Sequence, residues 1–178
     1  VHFASGFIID TSGNGWAAVQ FKAPPGSTPF PNGHLDSAAV LQCGLMSVTP
    51  TGTWTTYAIN SEVCGTNRSS LSLLNDGNFY LVGAESGSLS NLHLAKLTPG
   101  GGYARIPLTL TILPAVFAAP VDDSKGNIWF ASSAGKIARY ATDGTVREFA
   151  IASGRVVTNL RRGSDGNVWF AESDAAGS

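Results

Sequence analysis

The sequence predicts an all-β protein, and three observations support this fold class. Short runs of Val, Ile, Phe, Trp and Tyr alternate with Gly, Ser and Thr, which is typical of strands joined by turns. No segment shows the hydrophobic period of an amphipathic helix. Hydrophobic residues make up 43% of the 178-residue chain, which is enough to build a packed core.

Charge and hydrophobicity argue against two kinds of partner, nucleic acids and the interior of a membrane. Eleven basic residues stand against twelve acidic residues, for a net charge of −1, so we expect no nucleic-acid partner. We also expect no membrane span, because the longest apolar segment, residues 106–120, is interrupted by prolines and falls short of roughly 20 residues. The basic pair Arg161–Arg162 is assigned to ordinary surface. The chain starts at Val1 without an initiator Met or a signal peptide, so a mature or trimmed chain is expected.

One sequence element recurs four times. Its copies are "SGNGWAAV" (12–19), "NDGNFYLV" (75–82), "SKGNIWFA" (124–131) and "SDGNVWFA" (164–171). Each contains Gly-Asn, then one residue, then an aromatic residue. The asparagines at 14, 78, 127 and 167 lie 64, 49 and 40 residues apart. The shortest spacing defines the basic unit, and the longer ones contain insertions.

A second element alternates with the first, and together they define a repeat. It reads "SVTPTGTWTTYAI" (47–59), "KLTPGGGYARIPL" (96–108) and "RYATDGTVREFAI" (139–151), each with a glycine turn between two strand-like runs. A unit of about 40 residues with four short strands matches a β-propeller blade. The predicted units are about 6–70, 71–118, 119–159 and an incomplete 160–178. We expect three full blades and half of a fourth, belonging to a larger ring completed by other blades or by copies of the chain.

The third unit shows the predicted blade most clearly. Strand A precedes Asp123, strand B is "NIWFA", strand C is "KIARY" and strand D is "TVREFAI". Gly-containing pairs such as Asp143–Gly144 predict two-residue hairpin turns, because glycine adopts positive φ without strain. Strand B is apolar on both faces, which predicts that neighbouring sheets cover it on both sides.

The segment "GNIWFASSAGKIARYATDGTVREFAI" (126–151) resembles the repeat of the virginiamycin B lyase (streptogramin lyase) β-propellers. The resemblance is tight over residues 121–172, looser over 71–108 and loosest over 6–59, and NHL and gluconolactonase-like propellers share its skeleton. It implies a β-propeller fold. Enzymes of this family use His and Glu with a divalent cation, so the resemblance implies Mg or Ca if the chain is a lyase. None of His2, His34 and His93 has a Glu-x-His context, so no catalytic residue is carried over.

Candidate ligand-binding residues are expected at one end of the blades. The A–B and C–D turns lie at one end, whereas the variable connections, including residues 21–44 and 83–91, lie at the other and form a loop face. Glu85 and Glu172 follow strand B, His93 begins strand C, and His34 lies in the first connection. For the two glutamates, local pairing with an Arg or a backbone amide of a neighbouring blade is the alternative.

The aromatic residues divide into two groups. Trp16, Trp129 and Trp169, with Tyr80 in the second unit, recur at one repeat position, and we expect them to pack between blades rather than to stack on a sugar. Trp54 falls outside that register, on strand D at the outer edge, and is a candidate for an exposed ligand contact.

Three further residues bear on the cellular compartment. Cys43 and Cys64 fall at the loop face, and a structural disulfide is favoured over two free buried thiols. Asn67 begins an Asn-Arg-Ser glycosylation sequon. A disulfide would indicate an oxidising compartment, so we expect an extracellular, periplasmic or cell-surface protein.

Two functions of different classes fit the sequence. The first is a secreted or cell-surface propeller that binds a ligand, such as a glycan or small molecule on the loop face, or that acts in assembly without a catalytic set. The alternative is a fragment of a virginiamycin B lyase-like, metal-dependent C–O lyase. A gluconolactonase-like calcium enzyme is a third and weaker reading.

Overall fold

A computed structural model describes residues 2–3, 7–22, 41–59, 71–84, 92–110, 118–133, 135–151 and 155–174. All regular elements among these residues are β-strands, arranged in four antiparallel sheets. No helix long and apolar enough to cross a membrane occurs in this part of the chain.

Each sheet is built from strands that lie close together in the sequence. Sheet one contains β1 (His2–Phe3), β2 (Ile8–Ile9), β3 (Gly15–Lys22), β4 (Leu41–Val48) and β5 (Trp54–Ile59). Sheet two contains β6 (Ser72–Leu73), β7 (Phe79–Ala84), β8 (Leu92–Leu97) and β9 (Tyr103–Pro107). Sheet three contains β10 (Val121–Asp122), β11 (Ile128–Ser133), β12 (Lys136–Tyr140) and β13 (Val146–Ala150). Sheet four contains β14 (Arg155–Arg162) and β15 (Val168–Asp174).

The predicted fold class is confirmed. Sheets two and three are complete four-stranded blades, and sheet four supplies strands A and B of a fourth. In sheet one, β1 and β2 both pair with β3, so two short strands fill the position of strand A. The unit boundaries stay predictions, because residues 60–70, 111–117 and 152–154 lie outside the described residues.

The first B–C connection is shorter than expected. Residues 21–44 were assigned to an insertion, but β3 continues to Lys22 and β4 begins at Leu41, with these two residues paired. Strand pairing therefore extends toward the loop face, and the connection is limited to residues 23–40, which lie outside the described residues.

The seven turns between strands A and B or C and D that the structure describes share one geometry. Their residues are 10–14, 49–53, 74–78, 98–102, 123–127, 141–145 and 163–167. In the turn after β10, the Asp123 N–H donates to the Asn127 carbonyl (3.0 Å) and the Gly126 N–H donates to the Asp123 carbonyl (3.2 Å). The glycine at the fourth position has φ between 75° and 86° in every copy. The expected two-residue hairpins are therefore wrong, because each loop has three residues and only its glycine has positive φ.

An aspartate side chain explains why Asn and an aromatic residue follow this glycine. Asp123 Oδ1 accepts hydrogen bonds from the N–H groups of Lys125 and Asn127, both at 2.9 Å. Its Oδ2 accepts from Asn127 Nδ2 (2.8 Å) and Trp129 Nε1 (3.0 Å). Asp10 makes the corresponding four bonds in sheet one. We call this arrangement the turn carboxylate network.

Sheets two and four build the same network from a different position. Leu74 and Gly163 occupy the first turn position there, and the carboxylate comes from two residues later, at Asp76 and Asp165. Asp76 accepts from Asn78 Nδ2 and from the Tyr80 hydroxyl, both at 2.8 Å. An aspartate at the first or at the third position of the turn can therefore accept hydrogen bonds from the asparagine side chain and from the indole N–H or phenol O–H of the aromatic residue.

The network alters the acidity of its carboxyl groups. Partial burial alone would raise the pKa of Asp76, but hydrogen bonds from Asn78, Tyr80 and Lys96 outweigh it and lower the pKa to about 2. Burial likewise opposes, but does not cancel, the lowering of the Asp123 pKa by bonds from Trp129 and Asn127. Both side chains are therefore ionised acceptors near neutral pH.

Neighbouring sheets pack face to face through their B strands. Trp16 lies 4.9 Å from Phe79 of the next sheet, measured between ring centroids, and separate apolar clusters join sheet two to three and sheet three to four. Trp16 and Tyr80 are buried, as expected for blade packing. The expectation is wrong for Trp169, which is 63% exposed because no further strand or sheet covers β15 within the described structure.

The turn carboxylate network predicts the effect of removing Asp123. Asp123→Ala leaves the Trp129 indole and the turn amides without their acceptor, so we expect a loss of about 2 kcal/mol in the free energy of unfolding. Lys125→Ala in the same exposed turn is the matched control and should change it little. Urea denaturation measures both variants, and equal stability would contradict the role given to the carboxylate.

A second prediction concerns acid stability. The folded-state pKa of Asp76, about 2, lies below the usual value of 3.8, so its stabilising contribution is complete above that usual value and is lost as the pH falls toward 2. We expect Asp76→Asn to show a smaller loss of stability than the natural chain between pH 5 and pH 2. Urea unfolding across this range tests it, and parallel pH curves would refute the assignment.

Candidate functional site

The innermost strands surround a groove of about 680 Å³. Strands β2, β6, β10 and β14 and the residues beside them line it, in the position of a propeller's central channel. Phe7, Ile8 and Leu73 give it apolar walls, whereas Ser72 and the residues of β14 supply polar groups. Concave surfaces that combine apolar walls with a few polar groups are the usual location of small-molecule sites.

The polar side of the groove comes from β14. Val157 pairs with Glu172 and Asn159 pairs with Ala171, so Thr158 is an extra residue that forms a β-bulge. The Thr158 hydroxyl donates to the Ala171 carbonyl at 3.3 Å. Bulges change the direction of neighbouring side chains, and Thr158, Asn159 and the two following arginines are among the groove's lining residues.

Asp122 connects three sheets at the turn end of the groove. Its Oδ2 accepts a hydrogen bond from the Asn75 N–H of sheet two at 3.0 Å. The same atom lies 3.7 Å from Arg162 Nη1 of sheet four, and the Asp122 side chain is only 13% exposed. One carboxylate therefore holds the ends of three blades at a fixed spacing.

A smaller cavity of about 240 Å³ lies between sheets two and three. Asp76, Asp122 and Asp123 contribute to its lining, but each already accepts hydrogen bonds from the protein. Among the described residues, no group of three or more His, Cys, Asp or Glu side chains is arranged to hold a metal ion. The part of the chain described thus provides no site that fits Mg or Ca.

Two of the candidate residues lie within strands. His93 is the second residue of β8, and its side chain is fully buried beside Gly83. Glu172 was expected just after strand B, but β15 continues to Asp174 and Glu172 lies within it. Its Oε1 is 3.8 Å from Nε of Arg155 on the paired strand β14, so this contact lies within sheet four and is not one with a neighbouring blade.

The remaining candidates are only partly described. Trp54 begins β5, the outermost strand of sheet one, and is 57% exposed. Cys43 lies in β4, opposite Gln20 and Ile59. Outside the described residues are Glu85, His34, Cys64 and Asn67. The disulfide, the glycosylation site and the ligand contacts of these residues stay predictions.

Sequence reasoning missed the residues that line the groove. Asp122 and Asn159 carry no repeat signature, and Arg162 was assigned to ordinary surface as part of a basic pair. The available signal was positional, because Asp122 and Arg162 both directly precede an A–B turn. Such residues lie on the innermost strand once the repeat is assigned to blades.

Comparison with known proteins identifies the class of fold. No protein-family model and no curated protein sequence matches the chain. Its structure is similar to a catalytically inactive virginiamycin B lyase variant from Staphylococcus aureus with quinupristin, at TM-score 0.60 and 17% identity, over 99% of this chain and 54% of that one. It is also similar to a protein assigned as a gluconolactonase, at TM-score 0.55 and 16% identity, over 94% of this chain and 55% of that one.

A third solved structure extends this set. The luciferin-regenerating enzyme matches at TM-score 0.52 and 14% identity, over 89% of this chain and 49% of that one. The chain therefore spans about half the length of these structures. It has the fold of a β-propeller, and identities this low establish the fold and not the activity.

The position of Asp122 predicts an energetic link between blades. Asp122→Ala removes the acceptor of the Asn75 amide and the partner of Arg162, so we expect a loss of about 1–3 kcal/mol in the free energy of unfolding. Asp122→Asn keeps an acceptor oxygen and should lose less. A double-mutant cycle with Arg162→Ala should give a coupling of about 0.5–1 kcal/mol that weakens with salt. Additive effects would contradict the link.

Proposed function

We propose that this β-propeller binds a small hydroxylated carboxylate in the groove between its innermost strands. The observation that carries the proposal is the set of guanidinium, amide and hydroxyl side chains that line a groove of about 680 Å³. The size suits a small organic ligand. The groove is thus the ligand site of a binding module, and the proposal requires no catalytic group.

The chemistry of the lining defines the ligand class. Arg162 is paired with Asp122, whereas Arg161 is exposed and forms no ion pair with the described carboxylates. Among the residues that the structure describes, the Leu160 carbonyl accepts a hydrogen bond from Arg161 Nη1, at 3.2 Å. A guanidinium with free donors binds a carboxylate through paired, charge-assisted hydrogen bonds. Nearby Asn159 and Ser72 can exchange hydrogen bonds with ligand hydroxyls.

A secreted or cell-surface location accompanies this proposal. Its support is the pair Cys43 and Cys64, the sequon at Asn67 and the low charge content of 13%. Intact mass with and without reductant and alkylation tests the disulfide. Two alkylated thiols in the untreated protein would remove the main support for an oxidising compartment.

The proposal predicts selective binding of anionic sugars. Calorimetric titration with D-gluconate and D-galacturonate, against glucose and galactose as neutral counterparts, should show heat of binding for the carboxylates only. Arg161→Ala should weaken this binding about tenfold, because a charged hydrogen-bonding partner is lost. Lys125→Ala, which removes a positive charge from an exposed turn outside the groove lining, is the control. Equal binding of acids and neutral sugars, or no binding, would overturn the proposal.

A C–O lyase of the virginiamycin B lyase type is the second candidate. Its support is the repeat resemblance over residues 121–172 and the structural match over 99% of the chain. Incubation with quinupristin and Mg²⁺ or Ca²⁺, followed by mass spectrometry, tests it. Ring opening that EDTA abolishes would replace the binding-module proposal.

A further inference from the structure

Polar side chains follow one face of β14 along the groove. Leu160 is buried in the core shared with sheet three, and Asn159 and Arg161 are its neighbours in the strand. Because alternate residues of a strand share a face, Asn159 and Arg161 both lie on the face opposite Leu160. The pairing with β15 is regular over these three residues, and both polar side chains line the groove.

The β-bulge adds a third side chain to this face. Val157 and Leu160 are both buried in the same core, so two consecutive residues, Thr158 and Asn159, separate the core positions, and both are exposed. A regular strand has one residue between core positions, because its side chains alternate. The extra residue of a bulge changes this alternation. We define the polar row as Arg161, Asn159 and Thr158, all of which line the groove.

The members of the polar row differ in charge. Arg161 carries a guanidinium that forms no ion pair with the described carboxylates. The Asn159 side-chain amide, which both donates and accepts, has no hydrogen bond to a described group. The Thr158 hydroxyl donates to the Ala171 carbonyl, and its oxygen can still accept. The row therefore combines a cation at one end with neutral hydrogen-bonding groups at the other.

Strand geometry gives the polar row a direction and a length. The turn at residues 163–167 follows β14, so Arg161 lies nearer the turn end of the groove than Asn159 does. Each strand residue rises about 3.3 Å, so the Cα atoms of these two residues lie roughly 6.6 Å apart. With C–C bonds of about 1.5 Å, an extended chain needs about five or six carbons to span this distance. A carboxylate held by Arg161 thus brings a hydroxyl opposite Asn159 only if its carbon chain is that long.

The exposure of Asn159 limits how strongly the groove can discriminate. A shorter acid leaves the Asn159 amide without a ligand hydroxyl, but water reaches this amide because its side chain is exposed. The net loss is then that of one ordinary hydrogen bond, which corresponds to a difference in affinity of about tenfold.

We infer that Asn159 selects the chain length of the ligand, so that the groove prefers six-carbon hydroxylated monocarboxylates to three-carbon ones. The ligand carboxylate lies against Arg161 at the turn end, and its carbon chain runs along β14 toward the loop end. A hydroxyl near the far end of the ligand exchanges hydrogen bonds with the Asn159 amide. This inference rests on the proposed function, which requires a carboxylate and hydroxyl groups but sets no length.

Aldonates of increasing length test the selection. Calorimetric titration of the 178-residue chain with D-glycerate, D-erythronate, D-xylonate and D-gluconate should show affinity that rises with length. D-Gluconate should bind about tenfold more tightly than D-glycerate. Asn159→Ala should weaken D-gluconate about tenfold and leave D-glycerate unchanged, and Asn159→Gln, which keeps an amide, should retain part of the preference. Arg161→Ala should instead weaken every acid by a similar factor.

Two controls separate hydroxyl recognition from general effects. Hexanoate has the six carbons of D-gluconate without its hydroxyl groups, so it should bind no more tightly than D-glycerate. Lys125→Ala, in a turn outside the groove lining, should leave the preference for long acids unaltered. Circular dichroism verifies that each variant is folded.

The outcomes distinguish this inference from the proposed function. If D-glycerate and D-gluconate bind alike, or if Asn159→Ala weakens both equally, length selection by Asn159 is refuted while carboxylate binding at Arg161 stands. Hexanoate binding as tight as that of D-gluconate would also refute it, because apolar contacts would then account for the length preference. If none of the acids binds, the proposed function fails and the length selection fails with it.

Discussion

The hydrogen bonds accepted by one turn aspartate organise each repeat of this protein. Asp123 joins the turn backbone, the Asn127 amide and the Trp129 indole, and so fixes the direction in which strand B leaves the turn. The indole or phenol reaches the carboxylate only if the aromatic residue lies two positions beyond the asparagine. The spacing Gly-Asn-x-aromatic is thus a geometric requirement of this network, and it accounts for the four copies without any catalytic constraint.

Rigid turns at one end of the blades also determine where the blades meet. Asp123 directly follows Asp122, the last residue of the innermost strand β10. Asp122 contacts Asn75 and Arg162 of the neighbouring sheets. The Ser124 N–H adds a bond to the Gly166 carbonyl at 3.4 Å. At the other end, the Gly135 N–H of sheet three donates to the Arg155 carbonyl of sheet four, and apolar contacts between B strands complete the interface. The groove is the space between the innermost strands, whose separation these contacts between blades determine.

The sequence was sufficient to predict features that each repeat determines by itself. Strand order and the glycine turns depend on local pattern, and the structure agrees with them. The exposure of Trp169, the bulge at Thr158 and the buried site of His93 depend on which strand or sheet lies opposite, and no repeat pattern encodes that. The turn type was mistaken for a related reason: a single positive-φ glycine fits both two- and three-residue loops, and only the hydrogen bonds distinguish them.

Sheet four shows how contacts with a neighbouring sheet stabilise a two-stranded hairpin. An isolated two-stranded hairpin is at best marginally stable in water, yet β14 and β15 pair from Arg155 to Arg162 with one interruption, the bulge at Thr158. Val157 and Leu160 bury themselves against sheet three, and Arg162 is held by Asp122. Contacts with sheet three therefore stabilise β14 and β15, in addition to the hydrogen bonds between these two strands.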